Sequence, residues 1–244
     1  MNAKNPRFSF VIPTLNEEKR IATTLKQFLP YKKSYSFEVI IVDGKSTDNT
    51  VKIAKRYGAR IIYETVTLTI AAARNKGAFA AYGEYIIEMD ADVIFSDIPK
   101  LLEHIETRFK NVKIVAATSK FRSYPEDTTW KDEFVNRFMD MFIWIGVHIK
   151  TGIARGECQI FRKSAFNAIN GYKSYLVCSE DCDIFSRITK IGKIIRFSDI
   201  IAYYSPRRFR KEGYLKMLTV VWFWNWLYFV ITGNGYVKKW KEVR

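Results

Sequence analysis

Short unbroken apolar runs alternate, through the first half of the chain, with stretches whose apolar positions recur every three or four residues. The runs predict buried strands and the spaced stretches predict helices. Phe8–Ile12 reads as a strand stopped by Pro13. Glu17–Leu29 reads as a helix with Ile21, Leu25 and Phe28 on one face, acids in its first turn and Pro30 beyond it. Strands follow at Phe37–Asp43, Ala59–Tyr63, Glu84–Asp90 and Val112–Thr118. Between them lie helices at Asp48–Tyr57, capped by Thr47 or Asp48 and stopped at Gly58, then at Ile70–Tyr82 and Ile98–Phe109. Strands separated by helices of this length predict an α/β domain, a parallel sheet covered on both faces, with ligands beyond the carboxyl ends of its strands.

The rhythm then changes. Trp130–Ile149 predicts one long helix in which Asp132, Asn136, Arg137 and Asp140 make a polar stripe and most of the remainder is apolar. Cys158–Phe161 reads as a short strand and Glu180–Ile191 as a helix, followed by two strands, Lys193–Phe197 and Ile200–Tyr204. A basic knot of Arg207, Arg208, Arg210 and Lys211 precedes Met217–Thr232, an apolar run broken chiefly by Asn225. That run would form about 24 Å of helix, short of the ~30 Å of a simple membrane span. Basic residues flank it on both sides, with Lys238, Lys239, Lys241 and Arg244 after it, which argues against a single crossing. The expectation is a helix, or bent pair of helices, lying in the membrane interface with Trp222, Trp224 and Trp226 as anchors; Trp130–Ile149 is a candidate second one. A core helix or a dimer contact fits the same composition.

Composition narrows the class. The 244 residues are 48% apolar, enough for a sizeable core, and carry a formal charge of +15. Such a surface attracts anionic lipid, phosphorylated small molecules or nucleic acid. No helix-turn-helix, zinc-finger or RNA-stacking motif is present, so nucleic acid is not expected as a partner. Three cysteines at wide spacing form no disulfide framework and suit a reducing compartment. Met1–Arg7 has no apolar core of an export signal, so a cytoplasmic location is expected.

Candidate chemistry sits at the predicted strand ends: Asp43 after the second strand, and Asp90-Ala91-Asp92 after the fourth. Two carboxylates one residue apart offer hard oxygens suited to Mg²⁺ or Mn²⁺, although an isolated Asp-Ala-Asp reads more readily as a turn. A dinucleotide-binding dehydrogenase fits poorly because the first strand runs into PTLNEE rather than a glycine-rich turn.

Five blocks in order then carry a resemblance: VIPTLNEE (Val11–Glu18), VIIVDGKSTDNT (Val39–Thr50), AARNKGAFAAYG followed by EYIIEMDAD (Ala72–Asp92), GECQIFRKSAFNAING (Gly156–Gly171) and SEDCDIFSR (Ser179–Arg187). The chain resembles the family-2 glycosyltransferases with the GT-A fold, including dolichyl- or polyprenyl-phosphate sugar synthases and cell-envelope enzymes, over about residues 8 to 205. The resemblance implies a GT-A catalytic domain over residues 1–211 and a membrane-associated helical segment over 212–244. It implies an inverting transferase that takes a sugar from a UDP- or GDP-sugar to a lipid-linked acceptor at the cytoplasmic face of the membrane, or alternatively to a polysaccharide or glycolipid hydroxyl. By position, Pro13, Thr14, Asn16, Glu17, Asp43, Arg74, Asp90, Ala91 and Asp92 would bind the nucleotide sugar. Asp90 and Asp92 would hold the metal, and Asp181 would be the general base. Arg207 and Arg208, with Arg122 as a weaker candidate, would meet an acceptor phosphate. Two departures stand out: Lys45 replaces a small residue after Asp43-Gly44, and no histidine follows His148 to serve as a further metal ligand.

Overall fold

The computed structural model describes residues 5–149, 155–235 and 237. The basic positions Lys238, Lys239, Lys241 and Arg244, and the stretch from Met1 to Lys4, lie outside them. The apolar runs become strands β1 (Phe8–Thr14), β2 (Phe37–Asp43), β3 (Arg60–Tyr63), β4 (Tyr85–Met89), β5 (Ile94–Phe95), β6 (Ile114–Ser123), β7 (Cys158–Arg162) and β8 (Lys193–Tyr204). They form one eight-stranded sheet in the order β3-β2-β1-β4-β7-β6-β8-β5. The first four strands are mutually parallel, as are β6 and β8, whereas β7 runs antiparallel between β4 and β6, and β5 antiparallel to β8. The sheet is therefore mostly parallel but mixed, rather than wholly parallel.

Helices cover both faces: α1 (Ile21–Lys26), α2 (Thr50–Arg56), α3 (Ile70–Ala80), α4 (Ile98–Arg108), α5 (Trp130–Ile149), α6 (Lys163–Ala168) and α7 (Glu180–Ile188). Along β4, Ile87 and Met89 join one apolar cluster while Ile86 joins the other, which is why the strand reads as an uninterrupted apolar run. Helix α3 lies almost flush on the sheet. A Cβ on Gly77 would fall 2.3 Å from Val11 Cγ1 and 2.7 Å from Val42 Cγ2. That close approach sets the height of Arg74, one turn earlier, over the ends of the strands.

Several boundaries differ from the sequence pattern for local reasons. β1 does not stop at Pro13 but continues to Thr14, paired to β2 as far as Thr14↔Asp43. Its pairing with β4 ends at Val11, so Pro13 lies where one side of the strand has no neighbour to bond. The helix expected from Glu17 begins at Ile21; the residues before it form a turn held to the loop ahead of α2, where the backbone N–H groups of Glu17 and Glu18 donate to Thr50 Oγ1 and Asp48 Oδ2. The two strands expected at 193–204 are one, with a bulge between Phe197 and Ile201. Asp199 in that bulge receives Lys100 Nζ at 2.8 Å and His104 Nε2 at 2.9 Å, pinning it to α4.

α5 is turned inside out relative to a soluble surface helix. Three of the four residues of its polar stripe face the domain: Asp132 accepts from Arg210 and Tyr214, Asn136 bridges Ser123 and Tyr204, and Asp140 pairs with Arg122 and Arg196, whereas Arg137 points to solvent and pairs with Glu133 one turn away. Trp130, Phe134, Met141, Phe142, Trp144 and Ile145 are exposed. Beyond α8 (Arg207–Glu212), the chain forms α9 (Tyr214–Thr232), α-helical at its ends and π-wound over Met217–Trp224. By length and composition α9 is the one helix among the described residues apolar enough to cross a membrane, and only 11% of its apolar window is buried. Met217 packs with Val135, Met139 and Phe209 against α5, while Leu215, Phe223, Trp224, Val230 and Ile231 face outward.

Candidate active site

The carboxyl ends of β2, β1 and β4, three neighbours in the sheet, carry Asp43, residues 13–17 and Asp90-Ala91-Asp92, whereas Arg74 lies on α3, Arg122 on β6, Asp181 on α7 and Arg207 and Arg208 on α8. Asp43 ends β2 opposite Thr14 of β1 and is 1% exposed. The loops beyond these strands interlock. Asn16 N–H donates to Ser46 Oγ at 2.8 Å, and Thr47 N–H donates back to Asn16 Oδ1 at 2.7 Å. Asn16 and Lys45 both adopt left-handed conformations, with φ of 54° and 70°. Asp43 Oδ2 accepts the Ser46 N–H at 3.0 Å, whereas Oδ1 and the nearby Thr14 Oγ1 are buried with no hydrogen-bond partner among the described residues. Two unsatisfied buried oxygens on one rim are costly unless a ligand supplies their partners. Lys45 is exposed and Pro13 half-buried.

Past β4, Asp90 and Asp92 meet two arginines. Arg74, itself 1% exposed, donates to Asp90 Oδ1 at 2.9 Å, to Glu180 Oε1 at 3.0 Å and to the Gly156 carbonyl at 2.8 Å. Gly156 is small because a Cβ there would sit 2.7 Å from that guanidinium. Arg207 forks onto Glu17 with bonds of 2.7 and 3.1 Å and lies 3.4 Å from Asp92 Oδ2. The loop after β1 is thereby joined to the Asp-Ala-Asp turn. Tyr124 donates to the Asp92 carbonyl, and Ala91, also buried, receives Thr24 Oγ1 on its carbonyl at 2.6 Å. Asp181 follows Glu180 at the start of α7, where its carboxylate accepts the Cys182 N–H at 2.8 Å.

Burial and mutual repulsion dominate the electrostatics. Loss of hydration pushes the Asp92 carboxyl up to about 7; Arg207 opposes the rise, and Asp90, Glu17 and Glu157 add to it. The same desolvation raises Asp90, Glu180 and Asp181. Arg74 keeps its charge because these acids outweigh its own burial. Removing it strands buried acids without a cation. Arg74→Met is expected to lower unfolding stability by ~3–5 kcal/mol, measured by urea titration.

The crowded acids are a donor set short of positive charge, and Asp90 and Asp92 provide the hard oxygens that Mg²⁺ or Mn²⁺ favours. Among the described residues no group of three or more His, Cys, Asp or Glu forms a cage for a metal ion, so phosphate and water oxygens would supply the rest of the shell. The residues present fit such an ion.

A family profile described as Glycosyl transferase family 2 matches residues 9–169, from β1 through α6 and across Asp43, Arg74, Asp90 and Asp92. The chain belongs to glycosyl transferase family 2. Among relatives of this family, the succinoglycan biosynthesis protein ExoA of Rhizobium meliloti (strain 1021) is 27% identical over 214 residues, covering 81% of this chain and 62% of that protein. The mouse dolichyl-phosphate beta-glucosyltransferase is 33% identical over 111 residues, 39% of this chain and 34% of its own. Mannosyltransferase PcManGT from Pyrobaculum calidifontis, solved in complex with GDP-Man and Mn²⁺, superposes with a TM-score of 0.66 at 21% identity, over 83% of this chain and 58% of that one. S. aureus TarS 1–349, solved in complex with UDP, gives 0.59 at 22% identity, over 84% and 62%. These likenesses show a GT-A fold. The chain spans less than two thirds of the length of each of these four proteins.

Within this family 2 domain the structure adds residues that the sequence did not single out. Glu180, which reads as a helix N-terminal acid, is instead a buried partner of Arg74. Arg155 is fully buried, forked onto Glu157 and enclosed by the rings of Phe121, Tyr204 and Trp222 at 5.0, 4.5 and 5.7 Å. Arg122 is committed elsewhere, to Asp140 and Glu133 of α5. Burial, with the like charge of neighbouring Arg207 adding to it, lowers the affinity of Arg208 for its proton.

Proposed function

We infer that this chain transfers a sugar, with inversion, from a UDP- or GDP-sugar to a lipid-linked acceptor at the cytoplasmic face of a membrane. The reading takes residues 1–211 as the catalytic domain and 212–244 as the membrane-associated segment. The observation that carries it is the placing of Asp43, Asp90 and Asp92 at or just past the carboxyl ends of β2 and β4, which flank β1, with Arg74 paired to Asp90 and Arg207 beside Asp92. Asp43 Oδ1, buried and unsatisfied, is an acceptor for an N–H of the nucleobase. Asp90 and Asp92 would hold Mg²⁺ or Mn²⁺, which when bound neutralises charge on the departing nucleoside diphosphate. Pro13, Thr14, Asn16 and Glu17 line the nucleotide side of the rim, and Ala91 keeps the two aspartates in one turn. Asp181, its carboxyl raised by burial toward neutrality, is matched to taking the proton of an acceptor hydroxyl. An acceptor phosphate is already ionised; there Asp181 would orient it, with Arg207 and Arg208 supplying charge.

The membrane part of the reading is supported by α5 and α9. α5 turns Asp132, Asn136 and Asp140 inward beside Val135, Met139 and Ile143, and α9 turns Met217 and Asn225 inward, while Trp130, Phe134, Phe142 and Trp144 of α5 and Leu215, Phe223, Trp224, Val230 and Ile231 of α9 stay exposed. The +15 charge suits anionic lipid. A polysaccharide or glycolipid hydroxyl as acceptor is favoured by one observation, the coverage of 81% of this chain by the succinoglycan biosynthesis relative. Asp181→Asn separates the two: nearly complete loss of transfer indicates a hydroxyl acceptor, and retained transfer into an acid-labile polyprenyl phosphate product indicates a phosphate. EDTA is expected to abolish turnover of UDP-glucose or GDP-mannose, and Mn²⁺ or Mg²⁺ to restore it. Turnover that resists the chelator would remove the metal from the reading.

A further inference from the structure

Asn225 is the polar break in the apolar run of α9, yet it is 3% exposed. Its Nδ2 donates to Ser179 Oγ and lies 3.3 Å from Cys178 Sγ, and its Oδ1 accepts the Val237 N–H at 3.2 Å. One turn earlier on the same helix, Trp222 stacks on Arg155, the partner of Glu157. α9 therefore touches the acidic rim at two places through its inner face, while its outer face stays apolar. Ser179 is the residue immediately before α7, at its N-cap. It adopts a left-handed conformation, φ 66° and ψ 12°, with no side-chain capping bond of its own. That conformation is disfavoured for any residue with a Cβ and persists when its surroundings impose it. Glu180, on Arg74, and Asp181 follow directly.

We propose that Asn225 is a positioning residue for Asp181: its amide holds Ser179 in the left-handed turn that launches α7, so the seating of α9 on the domain sets where the Asp181 carboxylate points. The inference rests on the reading of Asp181 as the group that handles the acceptor proton. An asparagine buried only to satisfy itself would stabilise α9 and leave the turn alone. The two roles part at Ser179, because glycine adopts φ near +66° without a Cβ penalty and has no need of the amide.

The test uses the full chain in phosphatidylglycerol vesicles. Amide hydrogen exchange over residues 178–183 is compared with exchange over β2, and Mn²⁺-dependent hydrolysis of UDP-glucose and GDP-mannose, with water as the acceptor hydroxyl, gives kcat and KM. Asn225→Ala is expected to speed exchange in the turn at least tenfold with β2 unchanged, and to lower kcat at least tenfold with KM within twofold. Adding Ser179→Gly is expected to bring both back to within about threefold of wild type. Wild-type exchange in Asn225→Ala overturns the proposal, as does a loss that Ser179→Gly leaves uncorrected, since that is lost packing only. Asp181→Asn serves as the control. If it hydrolyses donor like wild type, the assigned role of Asp181 fails, while the exchange comparison, which needs no turnover, still decides whether Asn225 holds the turn.

Discussion

Asp92→Asn is expected to raise the melting temperature of the ligand-free protein at pH 8 while lowering Mn²⁺-dependent donor turnover roughly a thousandfold, the scale of several kcal/mol of transition-state charge stabilisation. Both effects come from one cause. Asp92 is buried among Asp90, Glu17 and Glu157 with Arg207 at 3.4 Å, and its carboxyl is pushed up to about 7. In the unfolded chain an aspartate titrates near ~3.9. The folded protein therefore binds this proton more tightly than the unfolded chain does. The associated stability is fully present below about pH 4 and is lost as pH rises through about 7. Asparagine keeps the shape and removes the buried charge, so the fall in melting temperature between pH 5 and 8 should become shallower. It should not vanish, because Asp90, Glu180 and Asp181 are raised in the same sense. Melting curves across that pH range, with turnover measured in parallel, check the claim. A variant less stable than wild type at pH 8 would show that Asp92 is a structural residue whose charge the fold needs.

The second large effect concerns the outward faces of α5 and α9. Phe142, Trp224 and Ile231 are 41%, 55% and 73% exposed. Burying such side chains in the headgroup boundary contributes ~1.5–3 kcal/mol each, and a glutamate in their place also meets the repulsion of anionic lipid, ~1 kcal/mol per charge. The triple variant Phe142→Glu, Trp224→Glu and Ile231→Glu should therefore lose at least a hundredfold in partitioning onto phosphatidylglycerol vesicles. The ring contacts of Phe142 and Trp224 are to Phe138 and Phe223, on the helices themselves, so nucleotide binding should survive. Sedimentation with vesicles reads the first quantity and a Mn²⁺-dependent thermal shift with UDP or GDP the second. Unchanged sedimentation would show that these faces meet protein, not lipid.

Much of the site was legible because it lies in single local words. Asp43 and the Asp-Ala-Asp turn follow apolar strands immediately, and a strand end has only one place to deliver its next side chain. The contacts that organise these acids were not legible, because they join distant words. Arg74 meets Glu180 across 106 positions, and Arg207 meets Glu17 across 190. Nothing in local spacing encodes such pairs. The polar stripe of α5 was visible as a stripe, but its direction was not: periodicity separates two faces without saying which one is covered. Asn225 stood out as a break in an apolar run, and its partner at Ser179 emerged only once α9 was seated. The bulge at 198–200 misled the pattern into two strands because hydropathy does not distinguish a gap between strands from an excursion within one.

The fastening of α5 has a consequence for any enzyme that works half-immersed in lipid. Two apolar helices lose their reason to stay together when acyl chains replace water between them, because hydrocarbon is as good a neighbour as leucine. Beside its apolar packing, α5 is also tied down by charge, Asp140 to Arg122 and Arg196, and Asp132 to Arg210. Ion pairs strengthen as the surrounding dielectric falls. The same bolts that hold this helix in water would grip harder at the bilayer edge, leaving its greasy side free to sink without peeling the helix from the sheet.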